Sequence, residues 1–253
     1  MSDFFHLFLV KPFFNILILI YNFSPIHDIG LATIILTLLI RLILAPIFYK
    51  SNKQQIIMNR LQPELLKIQK QYKDDKEKLA KAQMELYSKH KVNPFGNCFL
   101  VLLQLPIIWA VYRVFLMGFS PETLQNNLYS FVIIPDQINP LFLGLINLNK
   151  ANIFIAIIAA VLQYLSTKLI MPLSKQSQNN EQVENPTQKM TNILQKQMIF
   201  LGPIMTFIIL VGLPSILGIY WTITTVVTIL QQKIIQKRLA VEMNFSNNNG
   251  KNN

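Results

Sequence analysis

Residues 29–49 read IGLATIILTLLIRLILAPIFY, an apolar run whose one formal charge is Arg41. At about 1.5 Å per residue, a helix of that length crosses a hydrocarbon core about 30 Å thick and carries Arg41 near mid-bilayer. A guanidinium there costs about 2.5–3.5 kcal/mol on insertion scales, and it cannot escape by losing its proton. The stretch therefore reads as a membrane span that keeps a charge for a task, and Arg41 is the first candidate functional residue.

The rest of the chain fits a protein built against lipid. It has 253 residues, 52% of them hydrophobic, with a mean hydropathy of +0.37 and 13 prolines set among long apolar runs. The expected fold class is an all-α polytopic membrane protein. Beside 29–49, further spans are expected at 94–117, 152–171, 198–212 and 215–235. The run at 198–212 is short and holds Gly202-Pro203, so it is expected to thin the bilayer locally or to bury its ends against neighbours.

Two apolar segments are ambiguous. In residues 1–28 the run 4–23 is interrupted by Lys11-Pro12, and it lacks the basic start and small-residue cleavage site of a signal peptide. It is read as an external interfacial helix, with a sixth span as the alternative. Residues 118–151 contain Pro135, Asp136, Asn139, Pro140 and Gly144, which would leave backbone groups unsatisfied in lipid. They are read as an external loop dipping into the headgroups.

Charge sets the orientation. The formal net charge is +11, but no nucleic-acid motif or stacking-aromatic pattern accompanies the basic residues, and DNA is not an expected partner. Of the 23 Lys and Arg, eleven lie in 50–91, four in 168–196 and four from Lys233 onward. Only Lys11 and Lys150 fall on the opposite side, with Arg41 and Arg113 inside spans. Cytoplasmic loops carry such an excess, so the amino terminus is expected outside and the carboxyl terminus inside. Residues 50–93 then form a cytoplasmic basic helical hairpin. Residues 172–197 are a cytoplasmic loop, and 236–253 a cytoplasmic tail. In the hairpin, Ile56, Ile57, Leu61, Leu65, Ile68 and Tyr72 recur at helical spacing, Asp74-Asp75 interrupt, and Leu79, Ala82 and Leu86 resume. It reads either as a solvated charged hairpin or as a surface for anionic lipid or ribosomal RNA.

Polar residues inside the spans form stripes. Thr33, Thr37 and Arg41 are spaced by four and share one helix face. Trp221, Thr224 or Thr225, Thr228 and Gln231 recur at three or four in the last span. Counted along their spans, Arg41, Gln104, Gln163 and the Thr224-Thr225 pair fall at similar depth on four helices. A lone threonine is well explained as interhelical hydrogen-bond glue, worth about 0.6 kcal/mol per contact. The arginine is not, because no acidic residue lies in any of these spans to pair with it. An unpaired cation in mid-membrane implies a wet polar cavity, and one that attracts an anion.

The motifs resemble a known family. The run from GLATIILTLLIRLILAPIFY into KSNKQQIIMNRLQPELLKIQKQY is similar to the YidC/Oxa/Alb membrane protein insertases, which have a helix with a central arginine followed by a basic hairpin. VNPFGNCFLVLLQLPIIWAVY resembles the family's opening of the second core helix, and GIYW at Gly218 to Trp221 its Gly-Leu-Tyr-Trp. The resemblance implies an insertase and chaperone in the cell inner (plasma) membrane. Its five-helix transmembrane core would enclose a hydrophilic groove open to the cytoplasm, with nascent membrane proteins as clients. It implies that Arg41 attracts acidic translocated segments, that Thr37, Gln104, Gln163, Trp221 and Thr225 line the groove, and that a Sec-type translocase, the ribosome and anionic lipids are candidate partners.

An enzyme is not expected. Cys98 has no partner for a disulfide, and His6, His27 and His90 are scattered without ligand spacing, so no catalytic residue, metal or cofactor is assigned. A small anion transporter or an assembly scaffold would be the alternative functions.

Overall fold

The computed structural model describes residues 2–73, 75–93, 96–170 and 186–249. The described residues are mostly helical, which fits the all-α class. The first helical rod comprises α1 (Ser2–Phe5), a π-turn at His6–Val10 and α2 (Lys11–Phe23). Lys11-Pro12 does not break the rod. Pro12 cannot donate a backbone hydrogen bond and its ring crowds the preceding turn, so the chain widens there: the Lys11 N–H bonds to the His6 carbonyl five residues back. Val10, Phe14, Leu17, Ile18 and Tyr21 form the rod's buried face, whereas Phe4, Leu7, Phe8, Ile16 and Phe23 are exposed. His6–Phe23 is long and apolar enough to cross a membrane.

Then follow α3 (Ile29–Ile43) and α4 (Ala45–Arg60), which meet at Leu44 with a bend of 70°. The sequence suggested one straight helix over 29–49. Pro46 accounts for the difference, since it removes an N–H that a continuous helix would need and disfavours helical backbone before it. Leu44 sits at φ −87°, ψ 0°, and Pro46 opens the new helix in its first turn. Arg41 consequently lies in the last turn of α3 rather than mid-helix.

Next come α5 (Gln62–Gln71) and α6 (Lys76–Lys89), which pack against each other. Leu61, Leu65, Leu86 and Val92 make their small core, each worth about 1.5–3 kcal/mol on burial from water. Asp75 caps α6 by accepting from the Lys78 N–H at 3.0 Å. That bond, and then the Lys78 ammonium, hold its carboxyl below the usual range.

After α7 (Gly96–Met117) and α8 (Pro121–Asn127), residues 128–152 contain no helix and a two-stranded antiparallel hairpin of β1 (Leu141–Phe142) and β2 (Ile146–Asn147). Ile133, Leu143 and Leu145 point outward from this region. Asp28 binds it to α3. One carboxylate oxygen caps the helix by accepting from the Leu31 N–H at 2.8 Å, and the other accepts from the Leu143 N–H at 2.6 Å, where Leu143 has φ +50°. The Asp28→Ala variant should lose about 1–2 kcal/mol of stability, the value of a cap plus a charged hydrogen bond. Thermal unfolding in detergent would read this as a lowered midpoint, and an unchanged midpoint would refute the linkage.

The chain closes with α9 (Ile153–Ile170), α10 (Pro186–Val211) and α11 (Ser215–Asn249). The loop expected at 172–197 lies outside the described residues over 171–185, and from Pro186 the chain is already helical. Likewise α11 continues past 235, because Ile235 and Leu239 bury against Ile56 of α4. α9 packs against both α10 and α11, and α11 against α3, α4 and α7. Ile153–Ile170 is a full-length apolar helix, while Leu102–Met117 and Ile199–Val211 are shorter apolar stretches.

Candidate functional site

The site grows from the buried face of α3. Thr33, Thr37 and Arg41 are all buried, at 1%, 1% and 8% exposure, so the four-residue spacing does turn them together into the bundle. Both threonine hydroxyls spend their protons on their own helix, Thr33 Oγ1 on the Ile29 carbonyl at 2.8 Å and Thr37 Oγ1 on the Thr33 carbonyl at 2.7 Å. Their remaining oxygen lone pairs leave that face an acceptor surface. Arg41 has no such outlet. Its Nε and Nη1 are buried without a hydrogen-bond partner, and the Phe48 ring of α4 lies 4.1 Å from its Cζ. An ion pair joins Lys78 to Asp75, remote in sequence from this face.

Beside the guanidinium is an open cavity of about 400 Å³, bounded by Ile35, Leu38 and Leu42 of α3 and by Val227 and Gln231 of α11. Its walls are mostly apolar, with Arg41 and Gln231 as the polar members. A buried cation facing an apolar wall, with unspent donors, holds in reserve the desolvation cost that an incoming anion would relieve.

The other predicted residues distribute unevenly around this face. Gln104 of α7 donates to the Tyr220 hydroxyl of α11 at 2.5 Å, which ties those two helices together. The Trp221 carbonyl accepts from Thr224 Oγ1 and Thr225 Oγ1, each at 2.8 Å, so these hydroxyls are also turned onto their own helix. Trp221 is half-buried against the main core. Gln163 stands apart. It is half-buried on α9, where its backbone carbonyl accepts from Thr167 Oγ1 at 2.9 Å. The α9 to α11 link is made instead by Ser166 and Gln232, whose Nε2 donates to the serine hydroxyl at 3.1 Å. Asn52 of α4 donates to Gln231 Oε1 at 3.2 Å. Sequence reasoning missed Phe48, Asn52, Ser166 and Gln232. For Ser166 and Gln232 the available clue was a polar side chain near the carboxyl end of each of two apolar runs, 152–171 and 215–235.

The sequence that builds this site has relatives. The model of the 60Kd inner membrane protein family matches residues 19–242, nearly the whole span from α2 to the far end of α11. The chain belongs to the 60Kd inner membrane protein family. A family relative from Clostridium tetani, named membrane protein insertase YidC, is 34% identical over 223 residues, covering 86% of this chain and 87% of its own length. Another of that name from Fusobacterium nucleatum is 33% identical and covers 84% of this chain and 88% of its own length. One from Geobacter metallireducens is 32% identical over 92% of this chain, and there the chain spans 37% of the relative's length. The resemblance drawn from the sequence motifs is thereby shown. Family membership and the long apolar helices together assign this 60Kd family chain to a membrane.

Proposed function

We propose that the protein is a membrane protein insertase that draws the acidic, translocated part of a nascent membrane protein toward Arg41 and releases the client's apolar helix sideways into lipid. The observation that carries this reading is the Arg41 guanidinium, 8% exposed, with two nitrogens lacking partners beside an open, apolar-walled cavity. A carboxylate reaching it would find a charged donor in surroundings of low dielectric, where attraction is far stronger than in water. The apolar cavity wall suits the hydrophobic segment that follows. Thr37, Gln104, Trp221 and Thr225 line the polar path, with Gln163 further along it on α9.

In this reading the amino terminus is outside the inner (plasma) membrane and the carboxyl terminus in the cytoplasm, as the excess of Lys and Arg in 50–91 favours. The α5 and α6 hairpin then faces the cytoplasm, where it would meet anionic lipid, a ribosome or a Sec-type translocase. Client hydrophobicity supplies the driving force, helped by a membrane potential worth about 2.3 kcal/mol per charge per 100 mV.

Reconstitution tests the function. Liposomes holding the full chain should protect a single-span client with an acidic amino-terminal tail from external protease. Protection no greater than in empty liposomes would overturn the insertase. Access to the groove has its own test, in which a Thr37→Cys substitution in a Cys98→Ser background should react with a membrane-impermeant maleimide added from the cytoplasmic side. Resistance to the reagent would exclude a water-filled path to that depth.

A further inference from the structure

Resting on that reading, we infer that Phe48 is a positioning residue: its ring holds the Arg41 guanidinium by its flat face and so leaves the donor edge free for a client carboxylate. In a straight helix Phe48 would sit two turns beyond Arg41, about 10.5 Å further along the axis. The 70° bend at Leu44 folds α4 back instead, and the ring centroid comes to 4.1 Å from Cζ. Phe48 is 5% exposed, so the contact is shielded from water, where a cation over a ring is held most strongly.

The geometry distinguishes this partner from any other that a buried arginine could have. The five N–H donors of a guanidinium lie in its plane, and a carboxylate binds two of them side by side along an edge. An Asp or Glu in a neighbouring helix would fix the arginine, but it would also occupy that edge and neutralise the charge. An aromatic face does neither. It stabilises the cation through the ring quadrupole, restricts the long side chain, and accepts none of the in-plane hydrogens. Nε and Nη1 being buried and unpaired is the state such a holder produces. Pro46 thus has a functional consequence, because the bend it imposes delivers Phe48 to the charge.

The test compares Phe48→Leu, which keeps bulk and removes the quadrupole, with Phe48→Tyr and Phe48→Trp, which keep it. Each full-length variant is reconstituted and assayed with two clients, one with an acidic tail and one with an uncharged tail. Phe48→Leu should lower acidic-tail insertion by about five-fold or more and leave uncharged-tail insertion unchanged, while the Tyr and Trp variants stay within about two-fold of wild type. Stepwise fluorination of the ring at position 48, which weakens the quadrupole at nearly constant shape, should lower acidic-tail insertion stepwise. That series decides the matter if Phe48→Leu folds poorly. A flat response to fluorination, or equal loss for both clients with Phe48→Leu, would overturn the role of Phe48 while Arg41→Ala remains selectively defective. If Arg41→Ala is itself as active as wild type on the acidic client, the insertase reading of Arg41 fails first and this inference falls with it.

Discussion

Replacing Arg41 by alanine should reduce insertion of a client with an acidic translocated tail by about ten-fold or more, and should raise the thermal stability of the protein at the same time. The first effect follows from Coulomb's law. Two unit charges 4 Å apart at an effective dielectric of 20 attract by about 4 kcal/mol, and each 1.4 kcal/mol is a factor of ten. Even if dehydration of the carboxylate consumes over half of that attraction, the remaining loss is measurable. The second effect follows from burial. Arg41 is 8% exposed with two nitrogens unpaired, so the folded protein bears a charge that the Phe48 ring offsets only in part and that alanine removes. A cation kept for stability would give the opposite sign, with a lowered unfolding midpoint. Paired measurements of client protection and unfolding midpoint therefore separate the two. Equal loss with acidic and uncharged tails, together with a lower midpoint, would make Arg41 a structural residue. Arg41→Lys should fall between wild type and alanine, since an ammonium keeps the charge but lacks the planar fork that binds a carboxylate with two bonds.

What the sequence made legible is what helical arithmetic can carry. Thr33, Thr37 and Arg41 share a buried face because residues four apart must do so, and the absence of an acidic partner was visible in the composition of the spans. The bend at Leu44 was less accessible. Hydropathy treats IRLILAPIFY as one apolar run, although Pro46 within it was the physical signal that a straight helix could not continue. Everything that depends on the bend, including the placement of Phe48 on Arg41 and of Asn52 on Gln231, was hidden with it. Helix ends beyond the apolar runs were hidden for another reason. α10 begins at Pro186 and α11 runs to Asn249 through polar sequence, where hydropathy falls but backbone hydrogen bonding does not. Pairing between distant helices, as in Ser166 with Gln232, has no periodicity to betray it.

Gly218→Leu should destabilise the protein by about 1–3 kcal/mol, the usual cost of forcing extra bulk into a packed contact, although position 218 has no side-chain hydrogen bond of its own to lose. The motif GIYW made this glycine noticeable, but its reason is steric. A Cβ built on Gly218 would lie 2.5 Å from Ile155 Cγ2, nearer than two carbons can approach, and 3.6 Å from the Ile155 Cβ. The bare backbone of α11 is what lets α9 come alongside, as small residues do between membrane helices generally. That approach sets the register of the polar contacts further along the same pair, where Gln232 meets Ser166 and Gln236 donates to the Leu169 carbonyl at 2.5 Å. It also fixes Tyr220, two residues on and 1% exposed, for its bond with Gln104. Widening the crossing should therefore weaken contacts well removed from position 218. The compensating substitution Ile155→Ala, which clears the atoms in the way, should recover much of the lost stability in the double variant, whereas Ile155→Ala alone should lower it by opening a cavity. Unfolding midpoints of the two single variants and the double variant give the coupling directly. If the losses simply add, the close approach of α9 and α11 at Gly218 is not what fixes their packing.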